Sequence, residues 1–135
     1  MVSMFHRDTQ AAHRLLHLTA GGRDLAHPLR VARAVQAAGG SPDAVALALV
    51  HDLVEDGLAP LLDVLDALVQ AGASDPRRLL DGVTRTPGQT YAQFIDHAAT
   101  HPVTRLVKRC DVLDNLDGAT PSLAKRYRKA LQKLA

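Results

Sequence analysis

His51 and Asp52 stand side by side in an apolar stretch, Val45-Ala46-Leu47-Ala48-Leu49-Val50-His51-Asp52-Leu53-Val54, and two more carboxylates, Glu55 and Asp56, follow one turn later. Burying unpaired charge costs far more than packing returns. An acidic cluster at the end of a helix also opposes the helix dipole. A bound divalent cation removes both objections. Two residues elsewhere could join it: His27, before Pro28, and Asp111, in Val107-Lys108-Arg109-Cys110-Asp111-Val112-Leu113-Asp114-Asn115. Two neutral imidazoles and two carboxylates make a mixed nitrogen and oxygen set. Such a set suits a borderline divalent ion, Mn²⁺ in first place and Fe²⁺ or Zn²⁺ as alternatives, and leaves positions open for water and substrate. Adjacent helical residues point about 100° apart, so His51 and Asp52 can share one ion only if it sits over the helix edge between them.

The elements that must position these groups are helices. A first helix is predicted over about 9–19, ending before Gly21-Gly22. A second opens at His27-Pro28, with the proline at the permissive first turn, and stops at Gly39-Gly40. The third starts at Ser41 as N-cap, with Pro42 at the first helical position, and is expected to reach about Asp56 before Gly57. A fourth covers about 60–71. Asp75-Pro76 opens a fifth that reaches about Thr84, and Pro87-Gly88 breaks the chain. A sixth covers 90–100, a seventh runs from Pro102 to near Gly118, and Thr120-Pro121 opens the last. No strand-like alternation persists, and no linker is long enough to divide domains. The expectation is a single domain over 1–135: an all-α, compact bundle of seven to eight helices with short connections.

Composition agrees. Of 135 residues, 47% are apolar but only 3% aromatic, so Leu, Ala and Val must build the core, a mixture that favours helices over strands. A formal charge of +2 is too mild to argue for nucleic acid. One cysteine, Cys110, cannot form an intrachain disulfide. Residues 1–8 lack the long apolar run of a signal peptide, and no apolar stretch approaches membrane-spanning length. A cytoplasmic protein with no membrane partner is expected. Small helical domains often pair, so a homo-oligomer is a candidate assembly, with no face singled out for it.

The order His-Pro, His-Asp, Glu-Asp and Asp resembles the HD-domain metal-dependent phosphohydrolase superfamily. More narrowly, it is similar to the hydrolase domain of RelA/SpoT-type alarmone enzymes and their small stand-alone relatives. The matching pieces are His27-Pro28-Leu29-Arg30-Val31-Ala32, Ala48-Leu49-Val50-His51-Asp52-Leu53-Val54-Glu55-Asp56, Gly82-Val83-Thr84-Arg85 with Tyr91 and Phe94-Ile95, and Val107-Lys108-Arg109-Cys110-Asp111 with Asn115. The resemblance implies His27, His51, Asp52 and Asp111 as metal ligands, with Glu55 and Asp56 as the catalytic pair around the attacking water. On a continuous helix Glu55 lies four residues beyond His51 and Asp56 four beyond Asp52, each on its ligand's face. Lys108 and Asn115 share the face of Asp111, Lys108 for phosphate charge and Asn115 for hydrogen bonding. Arg85 is a candidate phosphate clamp.

The implied activity is hydrolysis of a phosphorylated nucleotide, a guanosine 3′-pyrophosphate (ppGpp) as the first substrate. The chain also departs from the alarmone hydrolases. Leu53 and Gly57 stand where Thr is usual, and Val112 where Arg follows the ligand Asp. These changes motivate an alternative, a nucleoside monophosphate or other small phosphoester. A further alternative is a non-catalytic nucleotide-binding module on the same fold. His13 and His17 have metal-pair spacing but no evident acidic partner, and His97 and His101 have the same spacing but Pro102 interrupts that helix. The basic stretch Lys125, Arg126, Arg128, Lys129 and Lys133 reads mainly as a solvated helix face, with part of it, or Tyr127, able to border an anionic substrate. Tyr91 and Cys110 read as packing residues.

Overall fold

A helix that is apolar on every side is stable only when covered on every side. In the structure, a computed structural model that describes residues 7–135, the apolar segment after Ser41 is such a helix, and seven successive residues of it, 44–50, are buried. We label it α3 (Pro42–Val50); before it come α1 (Gln10–Leu18) and α2 (Ala26–Ala37). After it come α4 (Leu61–Gln70), α5 (Pro76–Val83), α6 (Tyr91–Ala98), α7 (Pro102–Leu116) and α8 (Pro121–Leu134). A 3₁₀ turn, Arg7–Thr9, precedes α1. Residues 1–6, part of the segment read above as lacking a signal peptide, lie outside the described residues. The fold is an all-α bundle of eight helices among the described residues, without strands. No helix among them is long and apolar enough to cross a membrane.

Helix α3 is the axis, packed by α1, α2, α4 and α7. Its small residues, Ala44, Ala46 and Ala48, are at most 1% exposed and let the neighbouring helices approach closely. The main core joins these to Val31, Val35, Leu68, Leu80, Val83 and Val107. A second, smaller core under α8 holds Ile95, Ala98, Val112, Ala130 and Leu134. Cys110 is buried, as its sequence setting suggested.

The helix starts follow the chain chemistry. Proline stands in the first turn of α3, α5, α7 and α8, where its missing N–H costs nothing. Asp75 and Thr120 cap α5 and α8 by accepting from backbone N–H groups three residues on. Thr90 and Gln93 form a reciprocal capping box on α6. His101 accepts from the Val103 N–H through Nδ1 and so caps α7. Ser41 has the extended backbone of an N-cap, but its hydroxyl turns to the Asp43 carboxylate instead of the helix end.

One boundary differs from expectation. Helix α3 ends at Val50, not near Asp56, and 51–57 form consecutive turns. Leu53 N–H donates to Val50 at 3.1 Å and Gly57 N–H to Val54 at 3.0 Å, i to i+3 bonds tighter than α-helical ones. The His51 ring contributes to the break. Its Nδ1–H donates to the Ala48 carbonyl at 2.6 Å, the acceptor that a continuing helix would offer to the N–H of Asp52. Gly57 closes the segment at φ 69°, a left-handed conformation that glycine adopts without cost.

Gly82 marks where α5 meets α7. A Cβ there would lie 2.8 Å from Thr104 Cβ and still closer to its Cγ2. Thr104 cannot swing aside, being fully buried with its hydroxyl donated to Ala98 O at 2.6 Å. Overpacking of this kind costs about 1–3 kcal/mol, whereas alanine recovers at most about 1 kcal/mol of helix propensity. Gly82→Ala is therefore expected to lower unfolding free energy by about 1–2 kcal/mol, read from urea denaturation. A neutral or stabilising result would show that α5 and α7 can separate freely.

Candidate metal centre

Three helix-borne elements bring candidate ligands together. His27 sits in the first turn of α2, His51 directly after α3, and Asp111 in α7. Their packing makes neighbours of side chains 24 to 84 positions apart, and one donor atom from each lies within 4.8 Å of the others. Asp111 is 4% exposed and His51 2%. Asp52 borders this trio without belonging to it. Its Oδ2 is 3.1 Å from His51 Nε2, and its side chain is more open to solvent.

The His51 ring states what the centre needs. Nδ1–H is committed to Ala48 O, so Nε2 faces the site. That atom is buried and makes no hydrogen bond, although Asp52 and Asp111 oxygens stand 3.1 and 3.4 Å away. A lone pair aimed between two carboxylates is repelled by them, so positive charge belongs at that point, either a proton or a metal ion. With a proton there, burial works to lower the His51 pKa, but Asp111 and Asp52 outweigh it and push it up to about 10. Burial likewise opposes ionisation of Asp111, yet His27, His51 and Lys108 hold its carboxyl well below the ordinary range. Asp52 is also held low, against its burial, chiefly by His51. An orphaned imidazole nitrogen, a second imidazole and an ionised buried carboxylate fit a divalent cation.

His27 carries a support that the sequence reading missed. Its Nδ1 donates to Asp114 Oδ2 at 2.6 Å, while Nε2 faces Asp111 Oδ1 at 2.8 Å. Arg30, one turn along α2, holds Asp114 from the other side, Nε to Oδ1 at 2.8 Å and a terminal nitrogen to Oδ2 at 3.1 Å. Arg30 is the main reason the Asp114 carboxyl is held below its ordinary pKa. The Asp111 hydrogen bond, opposed by burial and aided by Asp114, raises the pKa of His27. Asp114 thus fixes the tautomer that leaves Nε2 for the centre, as the carboxylates behind ligating histidines do in metal sites. The available signal was the spacing: Asp114 follows Asp111 by three on one helix, and Arg30 follows His27 by three on another. Asp114→Asn is expected to weaken Mn²⁺ or Zn²⁺ binding about 10- to 100-fold by calorimetry; unchanged affinity would reduce the Arg30–Asp114 pair to a tie between α2 and α7.

The other nominated residues fall into two groups. Lys108 Nζ is 2.6 Å from Asp111 Oδ2 and 4.7 Å from the centroid of the Phe94 ring, so it lies at the centre. Asn115 Nδ2 reaches Asp111 Oδ1 at 3.5 Å, the outer limit of a hydrogen bond. Glu55 and Asp56 are exposed in the turns after His51. Partial burial and then the nearby Asp52 charge raise the Glu55 pKa. Without a continuous helix these two no longer share a helical face with His51 and Asp52, although Asp56 N–H still donates to Asp52 O at 2.9 Å. Arg85 is engaged by its own loop and by Tyr91. Its Nε donates to Gln89 O at 3.1 Å and its guanidinium lies 5.9 Å from the Tyr91 ring centroid. Among the described residues neither His13 with His17 nor His97 with His101 joins a three-ligand group.

The fold and this site define a class: an all-α bundle with a largely buried His–His–Asp cluster that could hold a divalent cation. Comparisons with family models, with curated proteins and with solved structures find no match to the chain.

Proposed function

We propose that this chain is a metal-dependent phosphohydrolase of the HD-domain type acting on a phosphorylated nucleotide. The observation that carries the reading is the buried His51 Nε2, without a hydrogen bond and beside His27 and Asp111. The resemblance in motif order adds the reaction class. His27, His51 and Asp111 would hold the ion, with Asp52 at its edge, and Mn²⁺ is the first choice over Fe²⁺ and Zn²⁺. When bound, a divalent ion supplies Lewis acidity toward water and phosphate oxygens.

The chain's own groups supply the rest. Glu55, in the turns after His51 and with its pKa raised by partial burial and by Asp52, is suited to take a proton from water. Asp56, on the same turns, can orient that water. Lys108 places a cation beside Asp111, where a phosphate would bring more negative charge. Asn115 can donate to the substrate or to the ligand carboxylate.

A guanosine 3′-pyrophosphate is the first substrate. A nucleoside monophosphate or other small phosphoester is the second, and two observations favour it. Leu53, at a position where the alarmone hydrolases usually carry a hydroxyl, is 1% exposed and part of the main core. Gly57, at another such position, offers no side chain at all. A panel of nucleotides with Mn²⁺ separates these by product, pyrophosphate for the first and orthophosphate for the second. Absence of either product from metal-replete protein would sink the enzyme reading. Tight nucleotide binding without turnover would leave the binding module.

A further inference from the structure

The basic stretch of α8 is more than a solvated face. Lys125, Arg126, Arg128, Lys129 and Lys133 share this helix with no acidic residue. While Ala130 and Leu134 turn inward to the smaller core, Arg126, Lys129 and Lys133 line one wall of a cavity of about 220 Å³ between α8 and α6. Tyr91, Ile95 and Ala130 give it an apolar floor. Lys133 is neutralised by Asp96 at 3.0 Å. Among the described residues Arg126 and Lys129 have no carboxylate partner. Arg126 instead lies over the Tyr91 ring, its guanidinium carbon 3.9 Å from the centroid. The Tyr127 ring is 6.5 Å further on. Burial pushes the Tyr91 phenol up to about 12, so the ring stays neutral at physiological pH.

Lys129 stands three residues after Arg126, so these two like charges repel along one helix face. An anion at this wall turns that repulsion into attraction. The guanidinium fork suits phosphate oxygens, and an apolar floor with an aromatic edge suits a planar ring. We propose that the α6–α8 cavity binds a nucleoside phosphate, its base against Tyr91, Ile95 and Ala130 and its phosphates on Arg126 and Lys129. None of these side chains belongs to the His27, His51 and Asp111 trio, so the site does not depend on the metal reading.

The test is run in EDTA, with GDP, ADP and inorganic pyrophosphate as probes and calorimetry for affinity. The chain has two tyrosines and no tryptophan, so its intrinsic emission arises only from Tyr91 and Tyr127, beside this cavity. The expected result is nucleotide binding without metal, at least tenfold tighter than pyrophosphate, with a change in tyrosine emission that pyrophosphate does not cause. Arg126→Gln and Lys129→Gln, both at exposed positions, should each weaken nucleotide binding several-fold without changing the melting temperature. Tyr91→Leu should abolish the preference over pyrophosphate. Three outcomes overturn the proposal: no binding in EDTA, binding indifferent to both α8 substitutions, or pyrophosphate binding as tightly as the nucleotides. Nucleotide binding that appears only with Mn²⁺ and vanishes in Asp111→Asn would assign the ligand to the metal centre, keeping the phosphohydrolase reading and overturning this one.

Discussion

Asp111→Asn is expected to remove metal retention and turnover together and to destabilise the metal-free protein by about 3 kcal/mol. Asp111 is the hub of the centre. One oxygen faces His27 and His51 at 2.8 and 3.4 Å, and the other holds Lys108 at 2.6 Å. An amide of the same shape leaves three basic groups around a site that is almost wholly out of water. Removing one partner of a buried ion pair costs about 3–5 kcal/mol. The lower end applies because His51 can discharge by releasing its proton. Urea denaturation in EDTA gives the stability, and elemental analysis of protein loaded with Mn²⁺ gives the metal content. If the variant holds manganese as the parent does, Asp111 is no ligand and the centre lies elsewhere.

The second large effect is the loss of pH dependence above pH 7 when metal is added. The pKa of His51 rises on folding from 6.5 to about 10. A histidine shifted upward lends stability that is complete below its unfolded pKa and is lost as pH climbs through the folded one. Metal-free protein should therefore become less stable between pH 7 and 10. Asp111 and Asp52 are shifted downward, so their contribution is present above about pH 4 and is lost as pH falls below that. With excess Mn²⁺ the high-pH slope should vanish, because His51 then carries no proton in either the folded or the unfolded state. The ion must displace the His51 proton, so apparent affinity rises about tenfold per pH unit for each proton displaced. Melting curves from pH 6 to 10, in EDTA and in Mn²⁺, read both slopes. Parallel curves would mean that no ion competes with that proton.

The fold was largely legible in the chain. Proline at the helix starts, glycine pairs at the ends and the apolar run after Ser41 are local signals, and the helices they announce are present. The convergence of His27, His51 and Asp111, three of the four groups singled out with Asp52, was legible for a related reason: imidazoles and carboxylates in apolar surroundings stand out because solvation makes them expensive there. The end of α3 was not legible. It depends partly on His51 Nδ1 taking the Ala48 carbonyl, and a side chain that competes with its own backbone looks in sequence like one that does not. With that helix end went the face-sharing argument for Glu55 and Asp56.

By itself, then, the sequence determined an all-α bundle of seven to eight helices, with a central one apolar enough to demand burial, and it marked candidate ligands on separate elements. Only the tertiary structure decided that Asp114 stands behind His27 with Arg30 behind it, that Arg85 lies near the Tyr91 ring, and that the cations of α8 wall a cavity. The reason is one of range. Propensities, caps and apolar periodicity act within a few residues and can be read in order along the chain. An ion pair across 84 positions, or a guanidinium laid on a ring from another helix, exists only after the packing of α2, α6, α7 and α8 has fixed which surfaces meet.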